Sequence, residues 1–137
     1  MKLFVSLAAG VALLLSVVAQ PVRADESIKA DLKDIYKGVY GLYEKAEKGN
    51  PRAAFLVAAL HLNGIFVPFD AAKGTKFLEV AAEKGDPDAL YYLGLHYQHG
   101  AYDYKVDKAK ASDLINKAAQ AGHRPAKIAQ ELLKMKK

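Results

Sequence analysis

Apolar residues recur along this chain at steps of three and four. Ile28, Leu32, Ile35, Val39, Leu42 and Ala46 draw one stripe along a helix over about 27–48. Similar spacing predicts helices over about 51–63, 71–84, 87–99, 108–121 and 125–134. No useful length alternates with period two, so the expected class is all-α with about six helices. In the fourth helix Ala89, Leu93, Gly94 and Tyr97 form the packing stripe, matched in the second by Ala53, Val57, Ala58 and His61. Ala89 and Gly94 are small enough to let a neighbouring helix come close.

The punctuation between helices is itself repeated. "EKGNPRAA" at 47–54 returns as "EKGDPDAL" at 83–90 and, more loosely, as "QAGHRPAK" at 120–127. Gly49, Gly85 and Gly122 are 36 and 37 residues apart, as are Ala53, Ala89 and Ala126. The extra residue falls in the loop 101–106. A glycine after a helical pattern can turn left-handed and close the helix. Asn50 and Asp86 can then cap the next helix, and Pro51 and Pro87 suit its first position. One helix stops and the next starts almost without a loop, which makes a helical hairpin. The third copy has His123 and Arg124 before Pro125 and lacks the usual capping residue. Asp70 and Asp107 are expected to cap the third and fifth helices, and Ser27 the first. Gly38 and Gly74 share the repeat position of Ala111. Each costs about 1 kcal/mol of helix propensity against alanine, which close helix contact is expected to offset.

The start of the chain reads differently. Lys2 precedes an apolar run from Leu3 to Ala19, and Val22-Arg23-Ala24 has the spacing of a signal-peptidase site. Residues 1–24 are therefore expected to be a signal peptide cut after Ala24, leaving 25–137 as one domain in the periplasm or outside the cell. No later run is long enough to span a bilayer, so stable membrane insertion after cleavage is not expected. The chain has no cysteine, which removes thiol catalysis and cysteine metal sites. Charge is uneven. Residues 25–104 carry nine basic and twelve acidic side chains, and residues 105–137 nine basic and three acidic. The C-terminal third suits an acidic partner or an anionic lipid surface. Nucleic acid is not expected, since no motif interleaves basic and stacking residues.

These residues resemble the Sel-1-like repeat, an α/α-hairpin relative of the tetratricopeptide repeat. "ALYYLGLHYQHG" at 89–100 matches the family's first helix. "EVAAEKGD" at 79–86 and "NKAAQAGH" at 116–123 match the end of its second, "GIFVPFD" at 64–70 its loop and "KAKAS" at 108–112 its middle. The resemblance covers about 34–134: a partial repeat at 34–49, repeats at about 50–85 and 86–122, and a terminal helix at 123–134. Ala58 and His61 depart from the family's glycine and tyrosine, and Phe66 replaces its second loop glycine. The resemblance implies a short right-handed α/α superhelix used as a binding scaffold, with a groove along the stacked first helices.

Sequence chemistry adds no competing site. His96 and His99 are three apart but lack further ligands for a metal. Asp86 is a cap and Asp88 sits in a first turn, where the helix dipole favours acid. Ser112 has no His and acid partners nearby in sequence. No catalytic residue, metal or cofactor is expected, and the chain reads as a binding protein rather than an enzyme. Opposite the packing stripe, Asp88, Tyr91, Leu95, Gln98 and His99 are spaced by three and four; the matching positions are Arg52, Phe55, Ala59, Leu62 and Asn63. In the implied architecture Arg52, Phe55, Leu62, Asn63, Asp88, Tyr91, Leu95, Gln98 and His99 line a groove for another protein. That partner would be an envelope component, a toxin held by its immunity protein, or a sensor. Phe66, Phe69, Tyr102 and Tyr104 mark the loops as a second candidate surface.

Overall fold

The capping chemistry sets every internal helix boundary. The computed structural model describes residues 24–135, which form α1 (Ala24–Glu47), α2 (Pro51–Asn63), α3 (Ala71–Glu83), α4 (Pro87–His99), a 3-10 turn (Ala101–Asp103), α5 (Lys108–Gln120) and α6 (Arg124–Met135). No strand occurs among the described residues. Asn50 accepts from the Ala53 N–H at 2.8 Å, Asp70 from Lys73 at 2.9 Å, Asp86 from Ala89 at 2.9 Å and Asp107 from Lys110 at 2.9 Å. These are the expected caps. Ser27 is a correction: it lies inside α1, which starts at Ala24. Asp25 and Glu26 suit a first turn, so the helix begins ahead of the serine.

The recurring glycines close helices as their spacing demands. Gly49, Gly85 and Gly122 have φ of 89°, 84° and 100°. Around the first, the Gly49 N–H donates to Ala46 O at 2.9 Å and the Asn50 N–H to Lys45 O at 2.9 Å. The same pair of bonds recurs at Gly85 and Asp86, and at Gly122 and His123. This double closure satisfies carbonyls that the helix end would leave orphaned.

The chain divides into two compact units, residues 1–35 and 36–137. Of the first, the described part is the opening of α1. There Leu32 and Ile35 are 45% and 38% exposed, so the stripe read over 28–46 does not pack along its whole length. In the second unit α2 pairs with α3 and α4 with α5, while α3 packs on α4 and α5 on α6. By the repeat steps α2, α4 and α6 occupy the first-helix position, and α1, α3 and α5 the second.

Most of the buried core is alanine: Ala46, Ala53, Ala54, Ala58, Ala81, Ala82, Ala89, Ala118, Ala119 and Ala126, around Val57, Leu78, Leu93 and Leu114. Small residues bring helix axes close and leave few large side chains to carry the burial. Leu78 is the largest of those fully buried, and truncating it to alanine costs on the order of 2–5 kcal/mol. A Cβ on Gly74 would lie 2.5 Å from Leu62 Cδ2, and one on Gly94 would lie 2.8 Å from Ile115 Cγ1 and 3.2 Å from Ala111 O. Close contact explains both glycines. Gly38 differs: nothing lies within 4 Å of a Cβ there, so the contact expected to offset its cost is absent.

Candidate functional site

The expected groove residues fall into two groups. Arg52, Phe55, Asp88 and Tyr91 gather beside the hairpin hinges. The Arg52 guanidinium bonds Asp88 Oδ2 and lies 3.7 Å from Asp86 Oδ2, with its Cζ 5.0 Å from the Phe55 ring centre. The hydrogen bond that Arg52 donates to Asp88 outweighs the lowering effect of burial and raises the arginine above its ordinary pKa. Asp88 Oδ1 is 3.4 Å from His123 Nε2, and the His123 ring stacks on Tyr91 with centroids 4.3 Å apart. Arg52 and Asp88 are equivalent positions of successive repeats. They are spent first on tying one hinge to the next.

His123 is a site that sequence reading missed. Its Nδ1 accepts the Ala126 N–H at 3.2 Å, so it caps α6 as Asn50 and Asp86 cap α2 and α4. The signal was its place in the repeat, 37 residues after Asp86.

The second group lines the spaces between first helices. Phe55, Leu62 and Asn63 border a cleft of about 270 Å³ between α2 and α4, closed by Tyr92, His96 and Tyr102. Tyr92, not Tyr91, is the tyrosine presented here. It is 46% exposed and stacks on Phe55 with centroids 5.8 Å apart, whereas Tyr91 is half-buried against the core and His123. One residue turns the helix face by about 100°, which separates their roles. His96 is buried against Tyr102 and Tyr104, with centroids 4.9 Å and 5.8 Å away. Burial lowers its pKa. Leu95 is half-buried on α4, while His99 is exposed at its end. Asn63 is exposed and donates to Ala59 O at 2.7 Å.

A second cleft, of about 710 Å³, runs from α4 to α6 across α5. Gln98, Ile115, Ala129 and Leu132 are among its walls. On α6, Ile128 and Leu132 are 57% and 56% exposed. They stand 37 residues after Tyr91 and Leu95, so the face of the first helices continues onto α6. The repeat step pointed there, but the expected groove stopped at His99.

The loop residues divide. Phe66 and Phe69 are exposed. Tyr104 is half-buried and donates to Glu79 Oε1 at 2.7 Å; burial, and then that bond, raise its pKa well above the usual tyrosine range. Phe66 has φ of 60°, and Tyr102 and Asp103 have φ of 51° and 64°. Both loops thus place residues other than glycine in left-handed backbone. Among the described residues no group of three or more histidines and acids converges as a metal site.

The Sel1 repeat model matches residues 51–86 and 87–123, the two hairpins α2–α3 and α4–α5. The chain belongs to the Sel1 repeat family. It is 34% identical over 99 residues to the alginate biosynthesis protein AlgK of Pseudomonas syringae pv. tomato, covering 72% of this chain and 21% of that protein. The chain therefore spans about a fifth of that relative's length. Among solved structures it is similar to a Sel1 repeat protein from Oxalobacter formigenes, with a TM-score of 0.63, 28% identity, and 66% of this chain and 67% of that one covered. It is also similar to a protective antigen of uropathogenic Escherichia coli strains that displays the same fold, with a TM-score of 0.59, 31% identity, and coverages of 64% and 19%. Sel1 repeats build protein-interaction scaffolds. The expected signal peptide and most of its cleavage motif lie at 1–23, outside the described residues, and no described helix is long and apolar enough to cross a membrane.

Proposed function

We propose that this Sel1 repeat protein is an exported binding module that holds another protein of the cell envelope, or a secreted one, on the face of its first helices. The observation that carries this reading is the recurrence of apolar side chains across the three first helices α2, α4 and α6. Phe55 and Tyr92 stack on the α2–α4 side, and Ile128 and Leu132 stand exposed on α6. Aromatic and branched anchors spaced over stacked helices, with polar groups such as Asn63 and Gln98 between them, are the usual makings of a protein interface. The apolar run at 3–19 and the Val22-Arg23-Ala24 spacing support export. Inhibition of a toxin by its immunity protein and regulation of a sensor are both forms of this same binding role.

Crosslinking of the tagged chain in intact cells tests the reading. A recovered partner should be lost with Phe55→Ser, Leu95→Arg or Ile128→Arg and kept with an outer-face change such as Lys76→Ala. Recovery unaffected by all three face variants would overturn it.

A further inference from the structure

The two clefts share three lining positions by the repeat step, and only the smaller carries a tyrosine at one of them. Leu62 and Gln98, Leu78 and Ile115, Tyr92 and Ala129 are related by the repeat step, and each pair lines its respective cleft. Between α2 and α4 the Tyr92 ring lies against Phe55, and about 270 Å³ remains. Between α4 and α6 the same position is the methyl group of Ala129, and the cleft reaches about 710 Å³. Ile115, Ala129 and Leu132 give it hydrocarbon walls, while Gln98, Ser112 and Lys108 supply polar groups. An apolar cavity with a few polar groups is how proteins take up one amphipathic group.

We propose that the α4–α6 cleft is the socket for a single aromatic side chain, tyrosine-like in size and polarity, carried by an acidic segment of the bound protein. This rests on the reading of the first-helix face as the binding surface and specifies its anchor. The smaller cleft shows the chemistry of the occupant, because there the chain supplies its own tyrosine. The charge shows what surrounds that occupant. Residues 105–137 carry nine basic side chains against three acidic ones. Of those acids, Asp107 accepts from the Lys110 N–H and Asp113 pairs with Lys117 at 2.7 Å. Lys108 stands at the cleft itself. The Lys108 ammonium beside an apolar socket, in a basic third of the chain, draws an acidic segment and orients it. A second copy of this protein is a poorer fit. Of its exposed tyrosines, Tyr36 and Tyr40 lie in the stretch 29–45, which has four lysines against three acids, while Tyr92 is engaged by Phe55 and Tyr102 by His96.

The test is a titration of the full chain, labelled for amide NMR, with a six-residue acidic peptide carrying one tyrosine. Its controls are the same peptide with alanine for tyrosine and with lysines for the acids. The expected result is amide shifts at Ala111, Ser112, Ile115 and Ala129. Affinity should be about tenfold or more weaker for either control. Ala129→Tyr should fill the socket and abolish those shifts, whereas Tyr92→Ala should open the α2–α4 cleft and add shifts around Ala59 and Leu78. Should Ala129→Tyr not fold, Lys108→Glu at the surface gives the second reading: weaker binding of the acidic peptide and stronger binding of the lysine one. No cleft shifts at millimolar peptide, or shifts unchanged in these variants, overturn the proposal. Shifts on Phe55, Tyr92 and Leu95 without the cleft would do so too, while leaving the binding-face reading standing. Cleft shifts that grow with protein concentration alone would assign the socket to a second copy and likewise overturn it.

Discussion

His123 Nε2 sits 3.4 Å from Asp88 Oδ1, while the other ring nitrogen accepts the backbone N–H of Ala126. With Nδ1 as acceptor, the neutral ring carries its proton on Nε2, facing the carboxylate. A histidine thus does the work of Asn50 and Asp86 and also reaches back to the preceding hinge. His123→Ala should cost about 1 kcal/mol, the usual worth of a cap. His123→Asn should recover most of that loss, because asparagine restores the cap though it cannot reach Asp88. Urea unfolding measures both; an alanine variant as stable as the parent would remove the cap from the account.

Two mid-helix glycines should respond in opposite directions. A methyl group at Gly94 would meet Ile115 and the Ala111 carbonyl, so Gly94→Ala should lose about 1–3 kcal/mol despite its better helix propensity. Gly38 has open space around it, and Gly38→Ala should gain about 1 kcal/mol. Thermal unfolding of the two variants checks the contrast, and a stabilised Gly94→Ala would contradict the packing described.

Phe66 holds φ of 60° in an exposed loop, at the position where the family places a second glycine. Left-handed backbone costs a side chain roughly 1–2 kcal/mol, and glycine gives back part of this through greater freedom when unfolded. Phe66→Gly should therefore raise stability by about 0.5–1 kcal/mol. A fall of similar size would mean that the phenyl ring contributes packing that its exposure conceals.

Much of this fold is legible in the sequence. Gly49, Asn50 and Pro51 state a helix stop, a cap and a restart in consecutive residues, so local chemistry alone fixed that boundary. Side-chain pairing across repeats was not legible in the same way. Arg52 and Asp88 look like two independent groove charges, because only the stacking of the hairpins brings atoms 36 residues apart into contact. Tyr91 and Tyr92 are neighbours in sequence, and the choice between core and face turned on the orientation of α4. The part of the face on α6 was missed for another reason: Ile128 and Leu132 have the spacing of ordinary core positions, and only their exposure sets them apart.

His96 gives the molecule a pH dependence of known sign. Burial against Tyr102 and Tyr104 lowers its pKa below the usual 6.5. Below about pH 6.5 the unfolded chain therefore takes up a proton that the folded one resists, and stability falls as pH falls. Above that value the residue adds no pH dependence. His96→Leu should flatten the stability profile below about pH 6.5 relative to the parent. An unchanged slope in the variant would show that other groups set it.

The central claim is that partners are held on the face of the first helices. Site-specific photocrosslinking in cells tests it most directly, with the photoreactive residue placed at Tyr92, Leu95 and Ile128 on that face and at Lys76 and Gln120 on the second helices. The account predicts one adduct of common mass from the three face positions and none from the other two. Adducts from Lys76 or Gln120, with none from Tyr92, Leu95 or Ile128, would contradict it.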